Sequence, residues 1–147
     1  MSNSTNIFFH VALMNNYQSI VDELVEDVET SGLYSLVDNI TVGVVGGHKK
    51  QLNTLPDKYS IKFESSNLKL YEKPTLAMLH NHSKSHDGKV LYIHTKNARN
   101  KVPADRSDPK TWKSWASREI HRWYMSNFII FNFTECLGLL QKHDAVG

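Results

Sequence analysis

The chain has 147 residues, 40% apolar and 22% charged, with a formal net charge of +2; that is the make-up of one globular domain. Its lone cysteine, Cys136, excludes an internal disulfide and demands no oxidising compartment, and the short N-terminal apolar segment, without basic residues ahead of it, makes a poor signal peptide, so a cytoplasmic protein is expected. The densest apolar stretch, NFIIFNF at 127–133, is too short to span a bilayer.

In chain order, IFFHVALM at 7–14 reads as a buried strand. Asn15 and Asn16 suit a helix entry, after which Ile20, Val21, Leu24, Val25 and Val28 recur at helical spacing. Asp22, Glu23, Glu26, Asp27 and Glu29 fall on the other face, which predicts an amphipathic helix with a solvated acidic side, ending near Ser31-Gly32. LYSLV at 33–37 suits a short turn or helical piece. ITVGVV at 40–45 predicts a second strand ended by Gly46-Gly47, and 48–58 reads as loop. YSIKF at 59–63 alternates, as a more exposed third strand does. Pro74 favours a helix start, with the helix running to about Ser83 and a turn at Asp87-Gly88. KVLYIHT at 89–95 is the strongest strand signal. Residues 97–111 are polar with two prolines, the pattern of a lid or a disordered loop. Asp108-Pro109 then suits a helix start, with Trp112, Trp115, Ala116, Ile120, Trp123, Tyr124, Phe128 and Phe131 at helical period. The three tryptophans read as core. Thr134 to Gln141 extends this helix or starts another.

Strand, helix, strand, strand, helix, strand, long helix: that order predicts an α/β fold with a mainly parallel open sheet flanked by helices. Ligands of such sheets sit in the crevice beyond the carboxyl ends of the strands.

The charge is unevenly spread. Residues 1–40 hold six acidic side chains and no Lys or Arg, whereas 84–122 hold ten Lys or Arg against four Asp or Glu. The basic segment contains the end of the fourth strand, where an apolar run empties into His94, Thr95, Lys96 and Arg99. An imidazole, a hydroxyl, an ammonium and a guanidinium arriving at a crevice, with no carboxylate, suit a phosphate group. Arg118 shares a helix face with Trp115 and adds a second guanidinium within reach. The competing reading leaves Lys96 and Arg99 as solvated charges. His10 reads as a satisfied core residue or one facing the crevice. His80, His82 and His86 match no strong zinc spacing. Cys136 reads as a buried, inert thiol. There is no Walker lysine pattern, no GxGxxG and no nucleophile elbow.

Taken together, VLYIHTKN at 90–97, WASREIHRWYM at 115–125 and CLGLLQKHDAVG at 136–147 resemble glycosyltransferase-like proteins of the GT-A, nucleotide-diphospho-sugar transferase fold. Those proteins carry a strand ending in Y-x-H-T-K-G, a Trp and an Arg on the next helix, and a C-x-x-L…D-x-x-G segment. The matching positions are Tyr92, His94, Thr95, Lys96, Trp115, Arg118, Cys136, Leu139, Asp144 and Gly147. Asn97 departs from the usual Gly. His94-Thr95-Lys96 stands where the wider fold carries a metal-holding Asp-x-Asp. The similar proteins also continue with a Ser-Gly-Asn-Phe-Trp-Trp-like segment. The resemblance therefore implies that 1–147 is a single nucleotide-sugar-binding domain, the Rossmann-like GT-A half, truncated at its C-terminus relative to that group.

What the resemblance implies for function is binding of a nucleotide-diphosphate sugar and, if the chain is active, hexosyl transfer to an unknown sugar or protein acceptor. His94, Thr95, Lys96, Arg99 and Arg118 would meet the diphosphate, backbone groups of His10, Val11 and Ala12 would meet the base, and Trp115 would pack beside the site. No cofactor is required by the sequence; Mn²⁺ or Mg²⁺ stays open, without an Asp-x-Asp motif to hold it. No catalytic base stands out, and Glu64, Asp87 and Asp144 qualify by residue type alone. The alternative is a non-catalytic remnant or partner-binding module using the aromatic helix 112–133, as a homo-oligomer or with a partner in place of the absent C-terminal part. Nucleic acid is not expected, since no RNA-binding motif is present.

Overall fold

The computed structural model describes residues 4–95 and 119–144. Its centre is strand β1 (Thr5–Ala12), with every residue from Asn6 to Val11 buried. β1 pairs in parallel with β2 (Asn39–Val45) on one side and with β4 (Lys89–His94) on the other, and β2 pairs in parallel with β3 (Tyr59–Ser65). The order is β3-β2-β1-β4, all parallel. This is a Rossmann-like α/β sheet, as the alternation of elements predicts. The order reverses between β1 and β4, so the topological switch point of the sheet lies there.

The two faces of the sheet differ in chemistry because β-strand side chains alternate. Ile7, Phe9 and Val11 of β1, Ile40, Val42 and Val44 of β2 and Ile93 of β4 point to one face. Helix α1 (Tyr17–Thr30) covers them with Ile20, Val21, Leu24 and Val28, and the short helix α2 (Leu33–Leu36) adds Leu33. Each of these fully buried side chains stabilises by roughly 1.5–3 kcal/mol relative to exposure, as an upper estimate. The other face carries Asn6, Phe8 and His10, with helix α3 (Lys73–Ser85) packed against it. α3 approaches closely because β2 has Gly43 there: a Cβ on Gly43 would lie 2.2 Å from Thr75 Oγ1. Thr75 is fully buried in that contact.

The predicted elements fall close to the observed ones, with two refinements. The loop at 48–58 contains a 3-10 turn, Lys49–Gln51, and β3 runs two residues beyond its predicted end, to Ser65. The C-terminal region brings corrections. Residues 119–125 are helical, a π-helical turn spans Ser126–Phe131, and a last helix spans Phe133–Leu139. The aromatic stripe, expected inside, faces out: Ile120, Trp123, Tyr124, Phe128 and Phe131 are all at least 45% exposed. The buried face is Arg122, Ser126 and Ile130. Arg122 goes inward because α1 meets it with a carboxylate: its Nε and Nη2 donate to Glu23 at 3.0 Å each, and its guanidinium also bonds Glu119. The acidic face of α1 is thus not wholly solvated; Glu23 is spent on Arg122. Trp112 and the predicted loop at 97–111 lie outside the described residues. Cys136 is half-buried, with its thiol directed to the Phe128 carbonyl at 3.3 Å. No helix among the described residues is long and apolar enough to cross a membrane.

Candidate functional site

At the switch point the carboxyl ends of β1, β2 and β4 enclose a cavity of about 130 Å³, lined by His10, Ala12, Met14, Val45, His94 and Thr95 from the sheet and by Leu68, Tyr71 and Glu72 from the β3–α3 connection. The strands place these residues by register. His10 and His94 are direct partners in the β1–β4 ladder, so both side chains emerge on the α3 face. Thr95 then closes the ladder beyond β4. Its N–H donates to the His10 carbonyl at 3.0 Å, and its hydroxyl accepts from the Ala12 N–H at 3.0 Å.

The connection from β3 delivers the third wall. Asn67 caps a 3-10 turn (Leu68–Leu70) by accepting the Lys69 N–H. Leu68 packs on Gly46, whose φ of +90° and lack of Cβ admit it; a Cβ there would lie 2.6 Å from Leu68 Cδ2. Tyr71 follows with φ 49° and ψ −139°, a backbone state that costs a non-glycine residue about 1–3 kcal/mol. That reversal starts α3 and leaves Glu72 at the mouth of the cavity.

Two polar pairs organise the interior. Glu72 Oε1 lies 3.3 Å from His94 Nδ1, with the side chains 43% and 24% exposed. His10 Nδ1 lies 2.9 Å from Thr75 Oγ1 and is sealed from solvent. Burial, against the pull of Glu72 and with the help of His94, lowers the His10 imidazole to about 4, so it is neutral near pH 7. The Tyr92 ring stacks on His94 with centroids 5.8 Å apart. Burial, followed by the charge of Glu72, pushes the Tyr92 phenol well above its usual range, so it stays protonated. The described wall of the cavity therefore presents the Glu72 carboxylate and the His10 and His94 rings over an apolar floor of Ala12, Met14, Val45 and Leu68.

Of the residues singled out by sequence, His10, Ala12, His94 and Thr95 come together here. Val11 does not; its side chain lies in the apolar core on the α1 face. The backbone groups of this stretch are occupied in part, since the His10 carbonyl and the Ala12 N–H are both taken by Thr95. Lys96, Arg99, Trp115 and Arg118 lie outside the described residues. None of the acids named by type lines the crevice. Glu64 accepts from the Lys49 N–H at 2.8 Å. Asp87 and Asp144 lie toward the amino ends of the strands, Asp87 bonded to Ser4 through its carbonyl and Asp144 beside Thr5 and Lys89. Glu72 is the carboxylate that sequence reading missed. Its signal was positional: a residue just ahead of a helix that follows a parallel strand sits at the carboxyl end of the sheet.

His82 and His86 also fall on the α3 face, away from the cavity. Their rings stack with centroids 4.3 Å apart, and His82 Nε2 lies 3.5 Å from Asn6 Nδ2. No group of three or more metal-capable side chains gathers among the described residues. Compared with models of known protein families, with curated proteins and with solved structures, the chain matches none.

Proposed function

We propose that this chain is a glycosyltransferase-like domain that binds a nucleotide-diphosphate sugar at the carboxyl ends of β1 and β4. The observation that carries the reading is the cavity at the β1–β4 switch point, with the chain leaving β4 directly into Lys96 and Arg99. Those two cations, with Arg118, would neutralise the diphosphate. If transfer occurs, preorganised positive charge of this kind stabilises the nucleotide diphosphate as it leaves the sugar. Among the described residues the crevice holds one carboxylate, Glu72, whereas Mn²⁺ and Mg²⁺ take several oxygen ligands, so binding is not expected to be strictly metal-dependent.

The test is calorimetric titration of the folded chain with UDP, GDP, CDP and dTDP, with and without Mn²⁺, on the wild type and Lys96→Ala. One diphosphate is expected to bind at micromolar to millimolar strength, more weakly in the variant. Failure of all four to bind overturns the proposal.

A second reading has its own observation. Trp123, Tyr124 and Phe128 form a contiguous exposed aromatic surface, with ring centroids 5.3 and 5.6 Å apart along the series. Such a surface suits association with a second copy of the chain. Concentration-dependent dimerisation by light scattering, lost in Trp123→Ser and unaccompanied by nucleotide binding, would favour it over the first.

A further inference from the structure

Residues 67–72, which join β3 to α3, are held in a conformation that their sequence resists. Tyr71 has φ 49° and ψ −139°, and Glu72 follows at φ −81° and ψ −9°. Those pairs lie near the two central positions of a type II′ turn, the first of which belongs to glycine. A tyrosine there stores strain, and its side chain, 60% exposed, gains little burial in return. The compensation comes from its neighbours. On one side Leu68 seats in the notch that Gly46 leaves beyond β2, where a Cβ would meet Leu68 Cδ2 at 2.6 Å. On the other side the Glu72 carboxylate meets His94, the last residue of β4, at 3.3 Å. The strand between these two is β1, so the connection bridges its carboxyl end. Within the bridge the bonds are local: the Leu70 N–H donates to the Asn67 carbonyl at 3.3 Å and the Tyr71 N–H to the Leu68 carbonyl at 3.0 Å. Both anchors are shallow, with Leu68 and the Glu72 side chain each more than a third exposed. A strained turn on shallow anchors belongs to the low-stability end of a fold.

We infer that residues 68–72 form a two-state strap across the carboxyl ends of β2, β1 and β4. In the closed state Tyr71 is strained, Leu68 fills the Gly46 notch and Glu72 rests on His94. In the open state Tyr71 relaxes to negative φ, Leu68 leaves the notch and Glu72 leaves His94. Leu68, Tyr71 and Glu72 all belong to the crevice wall, so opening the strap widens the crevice. The strain has a role in this: it raises the closed state alone and so narrows the gap to the open one. The inference rests on the proposed function only for what would enter the crevice; the motion belongs to the chain itself.

The experiment is amide relaxation-dispersion NMR on the full isotope-labelled chain without ligand, comparing wild type, Tyr71→Gly and Glu72→Ala. Exchange on the microsecond-to-millisecond scale is expected at the amides of residues 68–72, Gly46 and His94, with one shared rate. Tyr71→Gly is expected to cut the open population about threefold or more, the strain relieved less the extra freedom glycine gains when open. Glu72→Ala is expected to raise it about two- to fivefold, the loss of a partly exposed ion pair. Amides of α1 serve as the control and are expected to stay quiet. The inference is overturned by flat profiles in both wild type and Glu72→Ala, by exchange that Tyr71→Gly leaves unchanged or increases, or by exchange that extends equally to α1. Exchange with the expected responses in a chain that binds no nucleotide diphosphate sustains the strap and removes the nucleotide reading; nucleotide binding without that exchange does the reverse.

Discussion

The burial of His10 has a consequence for stability that is open to measurement. Its imidazole is 3% exposed and paired with Thr75 at 2.9 Å, and burial holds it at about 4 against an ordinary value of 6.5. Above pH 6.5 both folded and unfolded chains keep this group neutral. As pH falls from 6.5 toward 4, the unfolded chain takes up a proton that the folded chain refuses, so stability drops. At about 1.4 kcal/mol per pKa unit, the loss from this one group reaches roughly 3 kcal/mol near pH 4. Urea unfolding of wild type and His10→Asn, at steps from about pH 7 to pH 4, isolates that contribution from the carboxylates. Asparagine presents an amide where Nδ1 stood and does not titrate between pH 4 and 7. The free-energy gap between the two proteins is expected to shift by about 3 kcal/mol in the variant's favour over that range. Parallel curves would refute the reasoning, as would an imidazole that titrates near 6.5 in the folded state.

Two further perturbations probe how the site is supported. Gly43→Ala forces a methyl within 2.2 Å of Thr75 Oγ1 and 3.2 Å of Met78 Cε. It should cost about 1–3 kcal/mol in chemical denaturation by pushing α3 from the sheet, and a neutral result would mean that α3 sits more loosely than the contact implies. Arg122→Ala leaves Glu23 and Glu119 facing each other across a buried gap; since Glu23 is 42% exposed, the loss should be roughly 2–3 kcal/mol rather than the full value of a buried pair. Arg122→Met, which keeps the apolar stem, should lose less when both variants are unfolded by chemical denaturant.

Most of the sheet was readable because period-2 and unbroken apolar runs, bounded by Gly and Asn pairs, leave few alternatives for ITVGVV or KVLYIH. The C-terminal helix misled for the opposite reason. Aromatic residues at helical spacing look like core, and nothing local announces that Arg122 will turn inward; its partner Glu23 is 99 residues away. The site was half legible. His94 and Thr95 stand at the end of an obvious strand, and His10 belongs to another. Glu72 escaped notice because its role comes from topology and from the positive φ of Tyr71, neither of which is a property of residue type. Thr95 also closes the sheet, its hydroxyl oxygen accepting the Ala12 N–H, a role that residue type does not announce.

Among the described strands, the first in the chain lies inside the sheet, with a neighbour on each side. β1 can join β2 soon after synthesis, since Asp38, which receives the Thr5 N–H, comes 33 residues later. Its other edge waits for Thr95, 83 residues behind Ala12. At about 5–20 residues per second, translation leaves that edge bare for roughly 4–17 s. During that interval a nascent chain with an apolar, unpaired border is a natural client for chaperones that shield exposed strands.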